Sequence, residues 1–389
     1  MTPEKSGGIY YAYPEPSGKL TPAPAGFTPF YISHYGRHGS RWITSDARYE
    51  AVINEFSRNE RNMTDLGRDV YDRLLRVWDD ARGHGGELTP LGHRQHHAIG
   101  RRMAERYPEI FAGSASISAR SSTAGRCIMS MAALCEGLKE CNPSLHITRE
   151  AAARHMDYIA YNSPEALRLG ADTAPWRERF RAFEDSVLNP ERLMASLFII
   201  PDSINNKRAL YEGLYWIASD MQNVEPDISF YDIFTAGELF EMWQTINYRM
   251  YVANANSAEG DRHGIESARP LLDNIIQSAD SAIASGNIAA SLRFGHDTHL
   301  IRLLALIGIK GCDSRADDPR HYCDIWQDFR ISPMAANLQM IFYRNTEGHI
   351  LVKFLHNEEE TAIPINSSTA PYYDWNEVKR HLSRCINSN

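Results

Sequence analysis

The stretch Phe27–Trp42, FTPFYISHYGRHGSRW, sets the reading of the whole chain. Its first half alternates aromatic and β-branched residues like a strand, and it ends in a glycine-punctuated polar turn. That turn puts His38 between Arg37 and Arg41, with Gly36 and Gly39 beside them. Glycine lets the backbone bend sharply and lets an anion approach closely. Arginine is permanently charged and offers a planar fork of donors that matches phosphate oxygens. Neutral imidazole in such a cradle is a competent nucleophile toward phosphorus, and the two cations would stabilise charge building on the equatorial oxygens. The triplet recurs at Arg262, His263 and Gly264. That copy follows no strand and carries Glu266 where Arg41 stands in the first, so it reads as loop.

The same grammar appears twice more. SASISA reads as a short strand leading to Arg120 and then to a helix, SSTAGRCIMSMAALCEGLKE. An arginine at a strand's carboxyl end before a helix N-terminus is a second place to hold phosphate, in the crevice where open α/β sheets bind ligands. Arg126, six residues on within the helix, reads as a structural ion pair. Near the far end, ASLRFG runs into His296, Asp297, Thr298 and His299, followed by the helical LIRLLALIG. His296 could bind a phosphate oxygen and Asp297 could carry the proton a departing alkoxide needs; Asp297 or Thr298 could equally be the helix N-cap.

Between these segments, helical periodicity runs through ARYEAVINEFSRN, through TDLGRDVYDRLLRVWDD with Thr64 as N-cap, and through LTPLGHRQHHAIGRRMAERYP with Thr89 as cap and Pro90 in the first turn. In the last of these, His93, His96 and His97 have metal-like spacing, but Arg94 stands where a metalloprotease helix carries its acid, and no metal role is expected. LHITRE reads as another strand. NLQMIFYRN and HILVKFLHN, joined across TEG, predict a hairpin, and Asp374 predicts the cap of a closing helix.

A chain of 389 residues exceeds what one core usually supports. The strand-bearing residues 1–149 and 268–389 read as one discontinuous α/β domain, and the long helical runs of 150–267 as an inserted all-α cap. Basic cap residues Arg177, Arg179, Arg181, Lys207 and Arg208 are candidate substrate contacts, and so is His299. Residues 1–26, rich in Pro, Gly and Tyr, are expected to form an irregular surface arm.

Composition excludes several classes. A net charge of -8 argues against nucleic-acid binding and makes any anion site a local basic pocket. No apolar run reaches membrane-spanning length. Of six cysteines, Cys312 and Cys323 are the pair expected if a disulfide forms. The residues after Met1 lack a signal-peptide pattern, so either a cytoplasmic protein or a mature form without its leader is expected.

RHGSR, LTPLGHRQHHAIGRRMAERYP, ARSSTAGRCIMSMAALCEGL and FGHDTHL stand in an order that resembles the histidine acid phosphatases, the histidine phosphatase branch that includes phytases. The segment from Arg120 is most similar to the multiple inositol polyphosphate phosphatases. The resemblance implies a phosphoglycerate-mutase-like α/β fold, a mixed but mainly parallel sheet flanked by helices, with an inserted helical cap. It implies that His38 is the nucleophile that becomes phosphohistidine, that Arg37, Arg41, Arg120 and His296 hold the phosphoryl oxygens, and that Asp297 protonates the leaving oxygen. It implies a small phosphomonoester as partner, inositol polyphosphates such as phytate first and sugar phosphates second, no cofactor, and a periplasmic or secreted home. Two departures stand out: Ile43 replaces a proline common in the family, and His296–Asp297 replaces the HAE usual in the inositol polyphosphate branch. A phosphotransferase or mutase, and a non-catalytic phosphate binder, remain rival classes.

Overall fold

The computed structural model describes residues 1–387. Strand β1, Thr28–Arg37, is the hinge of an eight-stranded mixed sheet ordered β3-β2-β4-β1-β5-β6-β7, with β8 paired to β6. Its neighbour on one side is β4, Ile288–Gly295, parallel to it; on the other is β5, Asn337–Arg344, antiparallel. Strands β2, Ser116–Ser121, and β3, His146–Glu150, extend the parallel half beyond β4. The hairpin of β5 with β6, Ile350–His356, and the short β7, Glu359–Thr361, and β8, Tyr372–Asp374, form the antiparallel half.

Side-chain alternation fixes the two faces. Ile32, Ile117, Ala119, Leu292 and Phe294 pack with the helices Pro90–Arg106 and Gly125–Cys141 in one apolar core. These two helices meet at glycine: a Cβ at Gly100 would lie 2.2 Å from the Leu134 carbonyl oxygen. Thr89 caps the first of them, its hydroxyl accepting from the Gly92 N–H at 3.1 Å, and Thr64 caps the Asp65–Ala81 helix in the same way. Tyr31 and Tyr35 face the other side, where the core includes Leu271 and Leu272, Leu300 and Leu304, and Val378 and Leu382 from the helices Arg269–Ser285, Asp297–Ile307 and Trp375–Asn387. That core continues without a break into the helical stretch after β3: Tyr211, Leu214, Met242 and Tyr251 belong to the same cluster as Tyr35. Between residues 151 and 287 the described chain holds no named strand. The Asp46–Arg58 helix, from the first segment, packs on Lys207–Asp220 of this stretch, so helices on both sides of β2 and β3 contribute to it.

Two expectations are corrected here. Ser6, Gly7, Gly8 and Tyr10 are buried rather than wrapped on the surface, because Pro3–Ser6 and Gly8–Tyr10 form helical turns that enter the molecule. All six cysteines are free, Cys312 buried and Cys323 half-buried, so no 312–323 disulfide is present. Asp374 does cap the closing helix, accepting from the Glu377 N–H at 3.1 Å. No helix among the described residues is long and apolar enough to cross a membrane.

Candidate active site

The carboxyl ends of β1 and β4 lie side by side, Arg37 opposite Gly295, and the turns that follow them form one wall. Backbone bonds clamp the first turn: the His38 N–H donates to the Gly295 carbonyl at 3.1 Å, and the His38 carbonyl accepts from Ala335 N–H at 2.9 Å. Gly39 is needed for packing rather than for ligand approach, since a Cβ there would lie 2.6 Å from the Gly92 carbonyl oxygen. Gly36 likewise leaves room for the His34 ring, 2.7 Å from where its Cβ would be. Side chains complete the clamp. Gln95 accepts from the Ser40 N–H and donates to the Ser40 hydroxyl, both at 2.9 Å, and Ser130 accepts from the Gly39 N–H at 3.1 Å.

His38 is 2% exposed. Its Nδ1 lies 2.9 Å from the Gly39 carbonyl, which can only accept, so Nδ1 carries the proton and the Nε2 lone pair is left free. Burial first, then the charges of Arg37, Arg41 and Arg126, push its pKa well below the ordinary histidine value, so the ring is neutral even in mild acid. The His296 ring lies 5.8 Å from it, is lowered to about 4 chiefly by burial, and sits 3.4 Å from the Ser122 hydroxyl.

Arg37 is fully buried. One of its terminal nitrogens donates to the carbonyls of Ile9 and Ser332, each at 2.6 Å; the other lies 3.2 Å from Asp297 Oδ2. Arg41 lies over the Tyr10 ring, 4.7 Å from its centroid, and donates to the Tyr10 hydroxyl at 3.2 Å and the Trp42 carbonyl at 2.9 Å. Asp297 is the first residue of its helix and His296 holds the N-cap position, so the carboxyl is not the cap; Oδ1 accepts from the Thr298 N–H at 2.7 Å. Burial alone would raise the Asp297 pKa, but Arg37, then His296, hold it below the usual carboxylate range. This carboxyl is therefore ionised at neutral pH.

His38, Arg37, Arg41, His296 and Asp297 come together. Arg120 does not. In the sheet register it lies opposite Arg293, which is opposite Tyr35, so it stops two residues short of the level of Arg37, about 6.6 Å down the strands. Its guanidinium instead lies 3.5 Å from Glu150 and donates to the Tyr158 hydroxyl at 3.3 Å. The basic group that does reach the site is Arg126, in the first turn of the Gly125–Cys141 helix; its charge acts on His38, His296 and Arg37. Among the described residues it has no ion pair of the kind expected from the sequence, and its Nε is buried without a hydrogen-bond partner. Tyr10 was also missed.

The remaining candidates are occupied elsewhere. Lys207 pairs with Glu191 and Asp202 at 2.7 Å, and Arg208 with Glu212 at 2.8 Å and Asp185 at 3.1 Å. Arg177 stacks on Trp176 and donates to the carbonyls of Gly170 and Ala171. Arg179 and Arg181 bond to Glu259 and the Asp172 carbonyl. His299 is buried beside the site, its ring 6.1 Å from that of His296. On the Pro90–Arg106 helix, His96 points inward and donates to the Arg37 carbonyl at 3.0 Å, while His93 and His97 meet Glu136 and Glu140 of the neighbouring helix.

Residues 37–357 match the histidine phosphatase superfamily (branch 2). The chain belongs to this family. A search of the curated proteins gives no match. Among solved structures, the chain is similar to the multiple inositol polyphosphate phosphatase of Bifidobacterium longum in complex with inositol hexasulfate, with a TM-score of 0.75 at 17% identity over 98% of each chain. It is similar to the phytase from D. castellii, with a TM-score of 0.69 at 17% identity over 100% of this chain and 86% of that one. The Hafnia alvei phytase bound to tartrate gives a TM-score of 0.55 at 14% identity over 94% and 98%. At these identities the likeness establishes the histidine-phosphatase fold, a mixed sheet with a parallel core flanked by helices.

Proposed function

We propose that the protein is a phosphomonoester hydrolase working through a phosphohistidine on His38, with inositol polyphosphates such as phytate as its substrate class. One observation carries the reading: a free imidazole nitrogen sits among guanidinium groups with unsatisfied N–H donors, Nε of Arg37, Arg41 and Arg126, and the Asp297 carboxyl lies 3.2 Å from Arg37. In the first step the Nε2 lone pair bonds to phosphorus as the ester P–O bond breaks, and the Asp297 proton goes to the departing alkoxide. In the second, water gives a proton to the Asp297 carboxylate and displaces His38, releasing orthophosphate. The arginines and His296 carry the charge on the equatorial oxygens, and no metal is required for this.

Substrate binding supplies the proton. A phosphoryl group draws the free donors of Arg37 to itself and sets negative charge beside Asp297, and both effects raise the carboxyl's affinity for a proton. His38 keeps its lone pair in the same acid range because burial and the arginines hold it unprotonated. An acid optimum follows, bounded below by protonation of histidine and above by ionisation of Asp297.

The substrate class is supported by the local concentration of positive charge in a chain of net charge -8, and by the likeness to a phosphatase bound to inositol hexasulfate. A second reading, a broad-specificity or sugar-phosphate phosphatase, is favoured by the self-paired state of Lys207 and Arg208, which leaves them unavailable to additional phosphates. Phosphate release from phytate beside glucose 1-phosphate separates the two. The first reading expects kcat/KM for phytate to be about tenfold higher or more, and the reverse order selects the second. EDTA should leave turnover intact; loss restored by a divalent ion would refute the mechanism. Added glycerol should divert little of the phosphoryl group, since diversion of most of it would mark a phosphotransferase.

A further inference from the structure

Beyond the His38 cluster, a second set of basic and hydroxyl groups meets on the face of the parallel sheet that carries the Arg269–Ser285 helix. Ser118 and Arg120 of β2 and Ser291 and Arg293 of β4 form its floor, and one face of the Arg269–Ser285 helix forms its side. That face presents Asn274, Gln277, Ser278 and Ser281, at the spacing of a single helical stripe. The helix turns its apolar stripe, which includes Leu272, Ile276 and Ala279, into the core, and beside it this polar stripe borders a cavity of about 260 Å³. One water occupies about 30 Å³, so the space holds a tetrahedral oxyanion with several waters.

Arg293 gives the cavity its sign. It is 2% exposed. Its donors reach Asn274 Oδ1 at 2.8 Å, the Ser278 hydroxyl at 2.8 Å, the Ser33 hydroxyl at 3.2 Å, and the Asn274 and Ser291 carbonyls at 3.3 and 3.4 Å. Every one of these partners is neutral. A buried charge is ordinarily matched by an opposite one, yet the charged group acting on Arg293 is a second cation, Arg120. Glu150, which meets Arg120, is shared with Arg154 and His155, and Asp273 on the bordering helix accepts from Gln277 at 2.6 Å.

We propose that this cavity is a second anion site, taking one phosphate- or sulfate-like oxyanion between Arg120 and Arg293, with the Ser118 and Ser291 hydroxyls and the Asn274 amide as further donors. The strands couple it to the catalytic cluster. Arg293 precedes His296 by three residues on β4, and Arg120 precedes Ser122, whose hydroxyl faces His296, by two. Free orthophosphate and a phosphoryl group carried on a larger molecule share the required chemistry.

Calorimetric titration of the full chain with orthophosphate at neutral pH tests the proposal. Two sites are expected in the wild-type protein. Ser278→Glu supplies the missing carboxylate from within, so it should abolish one site while kcat and KM stay within about twofold. Arg120→Gln, half-exposed and safe for the core, should weaken the same site about tenfold, the effect of losing one charge-assisted bond. Glucose 1-phosphate in place of orthophosphate tells whether an esterified phosphoryl group is admitted: saturation of both sites widens the ligand class, and saturation of one restricts it to the free ion. A single phosphate site in the wild type, or two sites unchanged in both variants, overturns the proposal. Neither result bears on His38 chemistry, which turnover reports independently.

Discussion

The turns after β1 and β2 contain the same ingredients, arginine, serine and glycine ahead of a helix, and use them in opposite ways. After β1, the strand's last arginine, Arg37, stands at the sheet's carboxyl edge and reaches Asp297. After β2, the arginine in the same grammatical place, Arg120, lies two residues lower in the register and borders the cavity beside Arg293. The helix that follows makes up the difference by presenting Arg126 from its first turn. A strand-end residue is therefore functional by its level, and the motif alone does not fix it.

Breaking the first turn should have the largest effect. His38→Ala removes the proposed nucleophile, and turnover should fall by about 10⁴-fold or more. The contrast between the second turn's arginines is sharper. Arg126→Ala should lower kcat/KM by about 10²- to 10³-fold, the loss of a donor at developing charge, while Arg120→Ala should change it by less than about threefold. Equal losses from both would erase the distinction drawn here. Tyr10→Ala removes the ring and hydroxyl that hold Arg41. It should cost about tenfold, with Tyr10→Phe recovering most of the loss because the stacking survives.

The smallest effect concerns stability. His34, His96 and His299 are each lowered to about 3 by burial, so below pH 6.5 the unfolded chain takes up protons that the folded one refuses. Stability is then lost as pH falls, at up to about 1.4 kcal/mol per pH unit for each. Asp220 and Asp328, raised to about 7 and about 6 by burial, act in the opposite sense, keeping a proton that the unfolded chain gives up. The histidines outnumber them, so Tm should fall between pH 6.5 and 4.5, and His34→Phe should flatten that slope. A Tm that rises over the range would contradict the balance.

Much of this was legible in the sequence. The period-two pattern of β1, the hairpin across TEG and the caps Thr64, Thr89 and Asp374 are local signals, and each element formed where its signal lay. The convergence of Arg37, His38, Arg41, His296 and Asp297 followed from strand ends that share one edge. Arg120 was misread because its level depends on the pairing of β2 with β4, a long-range register that no local pattern carries. Parity gave no warning, since Arg37 and Arg120 both point away from the face that Ile32, Ile117 and Ala119 cover. Tyr10 had no signal either: a Pro- and Gly-rich arm gives no sign that it will be buried beneath an active-site arginine.

The covalent step is the most direct test. In Asp297→Asn the phosphoenzyme should form from an aryl phosphate, whose leaving group needs no proton, and break down slowly for want of a base. Rapid quenching followed by peptide mapping should then find an acid-labile phosphoryl group on His38. Full turnover with no covalent phosphate, or phosphate on any other residue, would contradict the account.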